Sequence, residues 1–255
     1  MDIYGKIDKR KFDEAKLRVL TGQNLQEGFG TLKEKTLHAT MKQYYAPDES
    51  THEKPLCGYI ADIFDGEIII EIQNGNFGHM RDKLAAFLPE YEVYLVYPFP
   101  HVKWVCWIDT ETGEVVSKHK SPKTGNAFHA LPEFFRIKQY LKDPNLHIRI
   151  PLIDMEEYRL LDGKRSKDKK RGSSRYDRVP VEIHDEIILD SVVDYLQLLP
   201  IDLPDEFTSK ELAKAAHVHV DYAREALKLL YDLGLVARVG KKGNTYIYRV
   251  YDEFE

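Results

Sequence analysis

The sequence has few of the features that mark secreted or membrane proteins. Among its 255 residues there are two cysteines, Cys57 and Cys106, without the spacing of a metal site. We expect both to be reduced core residues in strands, as in intracellular proteins. No stretch approaches about 18 uninterrupted apolar residues, and the charged start MDIYGKIDKRKFDEAK does not resemble a signal peptide. These absences argue against membrane association and predict a cytoplasmic protein.

The sequence also lacks a strong overall charge. Its formal net charge is −5, with 43% apolar and 31% charged residues, which is the composition of a globular protein with a proper core. The net charge does not announce nucleic-acid binding, but local patches matter more than the sum. Any cationic surface must therefore be sought in particular segments.

The most informative segment is 57–73, CGYIADIFDGEIIIEIQ. Two apolar runs flank Asp65-Gly66, a strong signal for a β-hairpin. If those two residues form the loop, Phe64 faces Glu67. Strand side chains alternate with period two, so one face would then carry Asp62, Ile69, Glu71 and Gln73.

This arrangement places two carboxylates, those of Asp62 and Glu71, side by side on a largely apolar hairpin. Like charges this close destabilise a sheet unless a cation lies between them, and a hard divalent ion with oxygen ligands is a natural candidate. The alternatives are the solvated face of an ordinary hairpin and a structural network of buried acids. The apolar residues on both faces predict a central hairpin that is covered on both sides.

Around the hairpin, the sequence predicts a mixed α/β arrangement. The capping box Thr31–Glu34 predicts the start of a helix that runs to about Tyr45. A crossover helix over 77–88 and a strand over 92–97 then indicate a parallel βαβ connection. Further on, the pattern predicts a hairpin over 103–118, a helix over 128–141 and a strand over 147–153.

Residues 162–180 differ in composition, because Lys and Arg are interleaved with Gly and Ser. Such a run is typical of a solvated linker and also suits phosphate binding. Beyond it we predict three helices: one over 187–199, one that begins at the capping box Thr208–Glu211, and one that ends at Gly234. A hairpin with a basic tip follows them. Helices followed by a hairpin are the order of a winged helix.

The 31–97 block resembles the PD-(D/E)XK nuclease superfamily in its element order and in the residues Glu34, Asp62 and Glu71-x-Gln73. The resemblance implies a restriction-endonuclease-like mixed sheet with flanking helices over 1–160. The composition and the element order add a basic linker or arm over 161–180 and a winged-helix domain over 181–255. It assigns catalysis to Glu34, Asp62, Glu71 and Gln73. Mg²⁺ or Mn²⁺ would be held by Asp62, Glu71 and the carbonyl of Ile72. Gln73 departs from the pattern, because the superfamily usually has lysine there.

From this resemblance we expect a metal-dependent endonuclease that hydrolyses DNA phosphodiester bonds. Double-strand cleavage would favour a homodimer. The expected DNA contacts are the basic residues Arg81, Lys83, Lys120, Lys123, Lys169, Lys170, Arg171, Arg175, Arg224, Lys241 and Lys242. The alternatives are a non-catalytic DNA-binding protein that has kept a nuclease fold, and an interaction protein with no nucleic-acid role.

Overall fold

The computed structural model describes residues 7–25, 35–122, 126–163 and 172–251. The α-helices are α1 (Lys9–Leu25), α2 (Thr36–Tyr45), α3 (Arg81–Phe87), α4 (Leu131–Phe135), α5 (Ser209–Ala215) and α6 (Val220–Leu233). The first strands are β1 (His52–Leu56), β2 (Tyr59–Phe64), β3 (Ile68–Ile72), β4 (Glu92–Val96), β5 (Phe99–Ile108) and β6 (Val115–Lys120). The remaining strands are β7 (Leu146–Leu160), β8 (Ser174–Leu189), β9 (Phe207–Thr208), β10 (Val236–Lys242) and β11 (Thr245–Val250).

A mixed sheet organises the chain from β1 to β8. Within the described residues it has eight strands in the order β1-β2-β3-β4-β7-β5-β6, and β8 pairs with β7. β3 runs parallel to β4, as the predicted crossover requires, and α3 forms the connection together with the 3-10 helix Phe77–Met80. The predicted α/β class, with a large mixed sheet and flanking helices, is confirmed. Among the described helices, none has the length and apolar character needed to cross a membrane.

Apolar side chains cover the sheet on both faces near β3. Ile70 and Ile72 pack with Phe12 of α1 and Met41 of α2, whereas Ile69 belongs to the cluster beneath α3. A strand buried on both faces reads as a continuous apolar run, which explains the sequence Ile68-Ile-Ile in β3. The predicted two-sided burial of this hairpin is therefore confirmed.

The predicted two-residue loop at Asp65-Gly66 is wrong. The structure pairs Phe64 with Ile69, so the chain turns over four residues. The Asp65 carboxylate causes this wider turn, because its Oδ1 accepts from the backbone N–H groups of Glu67 and Ile68, both at 3.0 Å. The register shifts by two residues, so every side chain keeps its predicted face and Asp62 now lies opposite Glu71.

Two further predictions about chain organisation are wrong. A helix was expected over 187–199, but its first residues belong to β8, which continues to Leu189. Within this range only Val192–Leu198 is helical, as a 3-10 helix. The segment 161–180 is not a linker throughout, since its residues from Ser174 onward pair with β7. Backbone pairing with β7 gives this polar segment a strand structure that its composition does not suggest.

Smaller corrections concern the helix over 128–141 and the cysteines. The helix is broken into α4 between two 3-10 helices, Ala127–Ala130 and Lys138–Tyr140. Cys106 is buried as expected, but Cys57 is exposed. Cys57 and Gly58 both have positive φ, which places them in the tight turn that joins β1 to β2.

The C-terminal part builds a small sheet in the order β10-β11-β9, with α5 and α6 beside it. The predicted capping box is confirmed, since Thr208 and Glu211 bond each other at the start of α5. α6 buries an apolar stripe with helical spacing at Ala223, Ala226, Leu227, Leu230 and Leu233. This stripe joins the same core cluster as Phe134 of α4, so the C-terminal part and the large sheet share one core.

Phe134 gives a test of this shared core. It is buried and its ring lies 5.7 Å from that of Phe77 and 5.8 Å from that of Tyr195. We expect Phe134→Ala to lower the free energy of unfolding by about 3 to 5 kcal/mol, because the cavity cannot collapse. Urea unfolding followed by both tyrosine fluorescence and far-UV circular dichroism should show one coincident transition.

The neighbouring ring of Phe135 is the control, since it is only partly buried and the Lys138 ammonium lies 5.0 Å from its centroid. Phe135→Ala should lower the free energy of unfolding clearly less than Phe134→Ala does. Two separated transitions in the wild-type protein would contradict a common core.

Candidate active site

The candidate site is a gap between β2 and β3. Ladder pairing is regular at Ile63–Ile70, and at the next pair two carboxylates replace it. Asp62 Oδ2 accepts from the Ile72 N–H at 2.8 Å, and Glu71 Oε1 accepts from the Asp62 N–H at 3.3 Å. Each acid therefore satisfies a backbone N–H that strand pairing would otherwise use, and both side chains are held in the gap.

The main-chain direction at Ile72 adds a third oxygen. In an extended strand the N–H and C=O groups of one residue point to the same side. The Ile72 N–H points at Asp62, whereas the next N–H, that of Gln73, donates to Val96 of β4 at 2.9 Å. The Ile72 carbonyl is therefore directed toward Asp62, as the resemblance implied for a metal ligand.

Two cationic or ionisable side chains approach the carboxylates from separate helices. Lys83 of α3 places Nζ 2.6 Å from Glu71 Oε2, with only a fifth of its side chain exposed. His38, in the first turns of α2, places Nε2 3.3 Å from Asp62 Oδ2. The crossover helix α3 and the helix α2 thus both contribute to the site.

Burial and proximity separate the two acids electrostatically. Burial raises the pKa of Glu71 to about 7, with the charge of Asp62 adding to the effect and Lys83 opposing it. Burial acts in the same direction on Asp62, but the hydrogen bond and charge of His38 and the Ile72 N–H outweigh it and lower the Asp62 pKa. Asp62 is therefore the acid that stays ionised, whereas the Glu71 carboxyl group takes up a proton near neutral pH.

The donor atoms suit a hard divalent cation. Two carboxylates and a carbonyl are oxygen ligands, and Mg²⁺ commonly takes one or two carboxylates while keeping several waters. The raised pKa of Glu71 indicates that this gap accommodates a second negative charge poorly in the absence of additional positive charge. Gln73 lies beside the gap, with its side-chain Nε2 3.5 Å from the Asn76 carbonyl oxygen.

The other predicted contacts have different positions. Arg81 is turned away from the gap, because its Nε donates to the Arg136 carbonyl at 2.6 Å. Lys120 is exposed on β6, at the opposite edge of the sheet from β1 and β2. Predictions that lie outside the described residues are those for Glu34, Lys123, Lys169, Lys170 and Arg171.

A second charged group, which we call the Glu157 cluster, lies where β5, β7 and β8 meet. The Glu157 carboxylate is almost fully buried and is surrounded by four cationic side chains. The nitrogen-to-oxygen distances are 2.9 Å for Arg159, 3.2 Å for Arg178, 3.6 Å for Lys103 and 3.8 Å for Arg175. Four positive charges around one negative charge leave a local cationic surface, in which Arg175 is the most exposed of the four side chains. The sequence pattern marked Arg175, but not Glu157, as the centre of this group.

The Glu157 cluster and the gap are connected through α2. Asp177, which precedes Arg178 in β8, accepts from the N–H of Thr36 at 3.2 Å and from its hydroxyl group. Thr36 begins the helix that carries His38 to Asp62. Asp177 of β8 and Asp62 of the gap therefore contact residues that lie two positions apart in α2.

The basic residues of the C-terminal part are exposed. Arg224 pairs with Asp221 at 2.7 Å on the surface of α6. Lys241 and Lys242 lie near the turn between β10 and β11, and the Lys241 ammonium is 4.7 Å from the Tyr246 ring centroid. These two lysines project from the hairpin tip and leave their ammonium groups accessible.

Comparison with known proteins places the sheet in a family. Residues 35–190 match the family described as Domain of unknown function (DUF8091). The chain belongs to this family. An uncharacterized protein of Treponema pallidum is 30% identical, over 86% of each chain. No solved structure matches.

The family region agrees with the observed fold better than with the predicted boundary at residue 160. It begins just before α2 and ends one residue after β8. Both strands of the gap, both helices that supply His38 and Lys83, and the Glu157 cluster all lie inside it. The DUF8091 region therefore contains the complete candidate site, while β9 to β11 lie outside it.

Glu157 gives a pH-dependent prediction. Burial opposes ionisation, but the surrounding cations, Lys103 and Arg178 first, lower the pKa of Glu157 to about 2. A lowered carboxyl pKa stabilises the fold above its unfolded value, and this contribution is lost as the pH falls toward 2. We expect Glu157→Gln to lower the free energy of unfolding at pH 7 by about 3 kcal/mol, because four cations lose their buried partner.

Urea unfolding at pH 7, 5 and 3 measures this effect. The difference in the free energy of unfolding between the variant and the wild type should become smaller toward pH 3. Glu156→Gln is the control, since Glu156 pairs with the half-exposed Lys118 and should cost no more than about 1 kcal/mol. A pH-independent cost at Glu157 would show that its charge is not the cause.

Proposed function

We propose that this protein is a metal-dependent endonuclease that hydrolyses DNA phosphodiester bonds with a PD-(D/E)XK-like site. The observation that carries the proposal is the gap between β2 and β3, which collects Asp62, Glu71 and the Ile72 carbonyl. A buried acid pair is costly to a sheet, and binding a divalent cation is a function that makes use of it.

The chain's own residues have distinct roles in this proposal. Asp62, Glu71 and the Ile72 carbonyl would hold Mg²⁺ or Mn²⁺, which would lower the pKa of a bound water and neutralise charge on the scissile phosphate. Lys83 supplies the ammonium group that the superfamily usually places at the position of Gln73. Its contact with Glu71 brings this positive charge to the site from the crossover helix.

Gln73 and His38 complete the polar surroundings. Gln73 has an amide that can orient a water or a phosphate oxygen but cannot accept its proton as a base. His38 holds Asp62 from the side of α2 and favours its ionised form. Because Glu71 would be ionised as a metal ligand, proton transfer would then fall to solvent.

The surrounding charges support a polyanionic substrate. The Glu157 cluster offers cationic groups close to α2, and the basic segment 164–171 follows the end of β7. Phosphate contacts of this kind need positive charge more than fixed structure. DNA could therefore be held across β8 while its backbone reaches the gap.

The C-terminal part supports the winged-helix assignment by its element order. α5 and α6 are followed by the hairpin β10–β11, and β9 adds a third strand beside β11. α6 packs in the core that it shares with α4, and the Tyr222 ring near its start lies 5.5 Å from that of His129. In this proposal the exposed wing lysines would extend the contact with DNA.

A second candidate, a non-catalytic DNA-binding protein, rests on the partners of the two acids. Lys83 already forms an ion pair with Glu71, His38 contacts Asp62, and the usual lysine is absent. In this alternative the same ion pairs only stabilise the gap between the strands. Binding would remain and hydrolysis would not occur.

Plasmid nicking distinguishes the two functions. We expect the full chain to nick supercoiled DNA with Mg²⁺ or Mn²⁺ and to stop in EDTA. Asp62→Asn and Glu71→Gln should each lower the rate at least about a hundredfold, because each removes a metal ligand. Lys83→Met should lower it about tenfold or more by removing the ammonium group.

Asp65→Asn is the matched control, because it lies on the same hairpin but outside the gap. It should nick at the wild-type rate. Equal nicking by the wild type and by both acid variants would contradict the proposed site. An inert wild type that still binds DNA would favour the second candidate.

DNA affinity measured against salt tests the cationic surface. Fluorescence anisotropy with a labelled duplex should give a logarithmic affinity that falls linearly with the logarithm of salt concentration. Lys169→Glu with Arg171→Glu should weaken binding and reduce the slope by about 2, and Lys241→Gln with Lys242→Gln should act in the same direction. Lys142→Gln is the control, because Lys142 is exposed before the start of β7 and Glu157 lies toward the other end of that strand. If the protein shows no salt-dependent binding to DNA, the cationic surface does not bind DNA, and the result favours an interaction protein with no nucleic-acid role.

A further inference from the structure

A cluster of metal-ligating side chains lies outside the gap, on strands β5, β7 and β8. His101, Asp154 and His184 place one ligand atom each so that all three atoms lie within 4.8 Å of one another. His101 Nδ1 is 2.8 Å from Asp154 Oδ1, and His184 Nε2 is 3.1 Å from Asp154 Oδ2. The nuclease proposal assigns no role to these residues.

The backbone is irregular on both sides of Asp154. On β8, the register passes from Leu152–Asp185 to Ile153–Ile183, so His184 is the additional residue of a β-bulge. On β5, pairing passes from Pro100–Ile153 to Lys103–Met155, so an additional residue occurs in the segment that contains His101. Bulges re-aim side chains and are frequent beside functional sites. Here two of them bring a histidine from each neighbouring strand to the same carboxylate.

The carboxylate between the histidines is fixed and shielded. Asp154 Oδ1 accepts from the Val102 N–H at 2.9 Å, a bond that orients it independently of the histidines. Its side chain is 14% exposed, whereas that of His101 is 44% exposed. A bound ion would thus have a buried anionic ligand on one side and solvent access on the other. Glu182, paired with Asp154 across the ladder, adds a second negative charge nearby.

We propose that His101, Asp154 and His184 form a binding site for a divalent transition-metal ion such as Zn²⁺. Two imidazoles and a carboxylate are ligands that Zn²⁺ takes, and three protein ligands leave a fourth position for water. Tetrahedral ligands with bonds of about 2.0 Å lie about 3.3 Å apart. The two histidine-to-carboxylate distances, 2.8 and 3.1 Å, are close to this separation. The two nitrogen ligands distinguish this site from the gap, whose proposed metal ligands are oxygen atoms that suit Mg²⁺.

Zinc titration of the chelator-treated full chain tests the proposal. Isothermal titration calorimetry at pH 7.5 should show one site with a dissociation constant of about 1 μM or below. His101→Gln and His184→Gln should each weaken binding at least about tenfold, as loss of a ligand does. Zn²⁺ should also raise the melting temperature of the wild type and not that of the double variant.

His147→Gln is the matched control, because His147 forms a similar pair with Asp190, at 2.9 Å, on the same sheet. It should bind Zn²⁺ like the wild type, provided circular dichroism shows native spectra for all variants. Asp62→Asn should also leave zinc binding unchanged, which separates this site from the nuclease proposal. Absence of zinc uptake by the wild type, or equal affinity in both ligand variants, would overturn the site and leave an ordinary ion-paired triad.

Discussion

The structure depends on two hydrogen bonds between β2 and β3, in which side-chain carboxylates take the place of backbone carbonyl acceptors. Asp62 accepts the Ile72 N–H and Glu71 accepts the Asp62 N–H, so the strands separate without leaving these donors unpaired. Buried backbone N–H groups require a partner. The two acids are therefore structural parts of the sheet before they have any chemical role, and their replacement by apolar residues would leave both amides unsatisfied.

This arrangement creates an electrostatic problem that the helices solve. The apolar cover on both sheet faces raises the pKa of Glu71 to about 7, so the gap tolerates one negative charge better than two. Lys83 reaches it from α3, and His38 reaches Asp62 from α2. The positions of both helices are set by apolar contacts: Leu84, next to Lys83, and Leu37, next to His38, are fully or almost fully buried. Packing thus determines which cations meet which acids.

The sequence allowed the face of the hairpin to be predicted, but not its register. Alternation with period two is a local property, so Asp62 and Glu71 stayed on one face although the loop was wider than predicted. β8 was not recognisable, because its charges and Pro180 argue against a strand. Pro180 is tolerated where the register of β8 against β7 shifts, and β7 supplies the pairing that defines the strand. The Glu157 cluster and the His101–Asp154–His184 triad were missed for the same reason, since both depend on that long-range pairing.

Strand β7 explains why a chain with net charge −5 has a concentrated cationic surface. It carries acids at Asp154 and Glu157, and each is surrounded by basic or imidazole groups from neighbouring strands. A buried anion can hold several cations that would repel one another alone, and Glu157 does so with a pKa of about 2. Arg175 is the most exposed of its four partners, so the excess positive charge reaches solvent mainly through that side chain. Charge sums over a whole chain therefore say little about binding surfaces, because one buried carboxylate suffices to organise a local excess of the opposite sign.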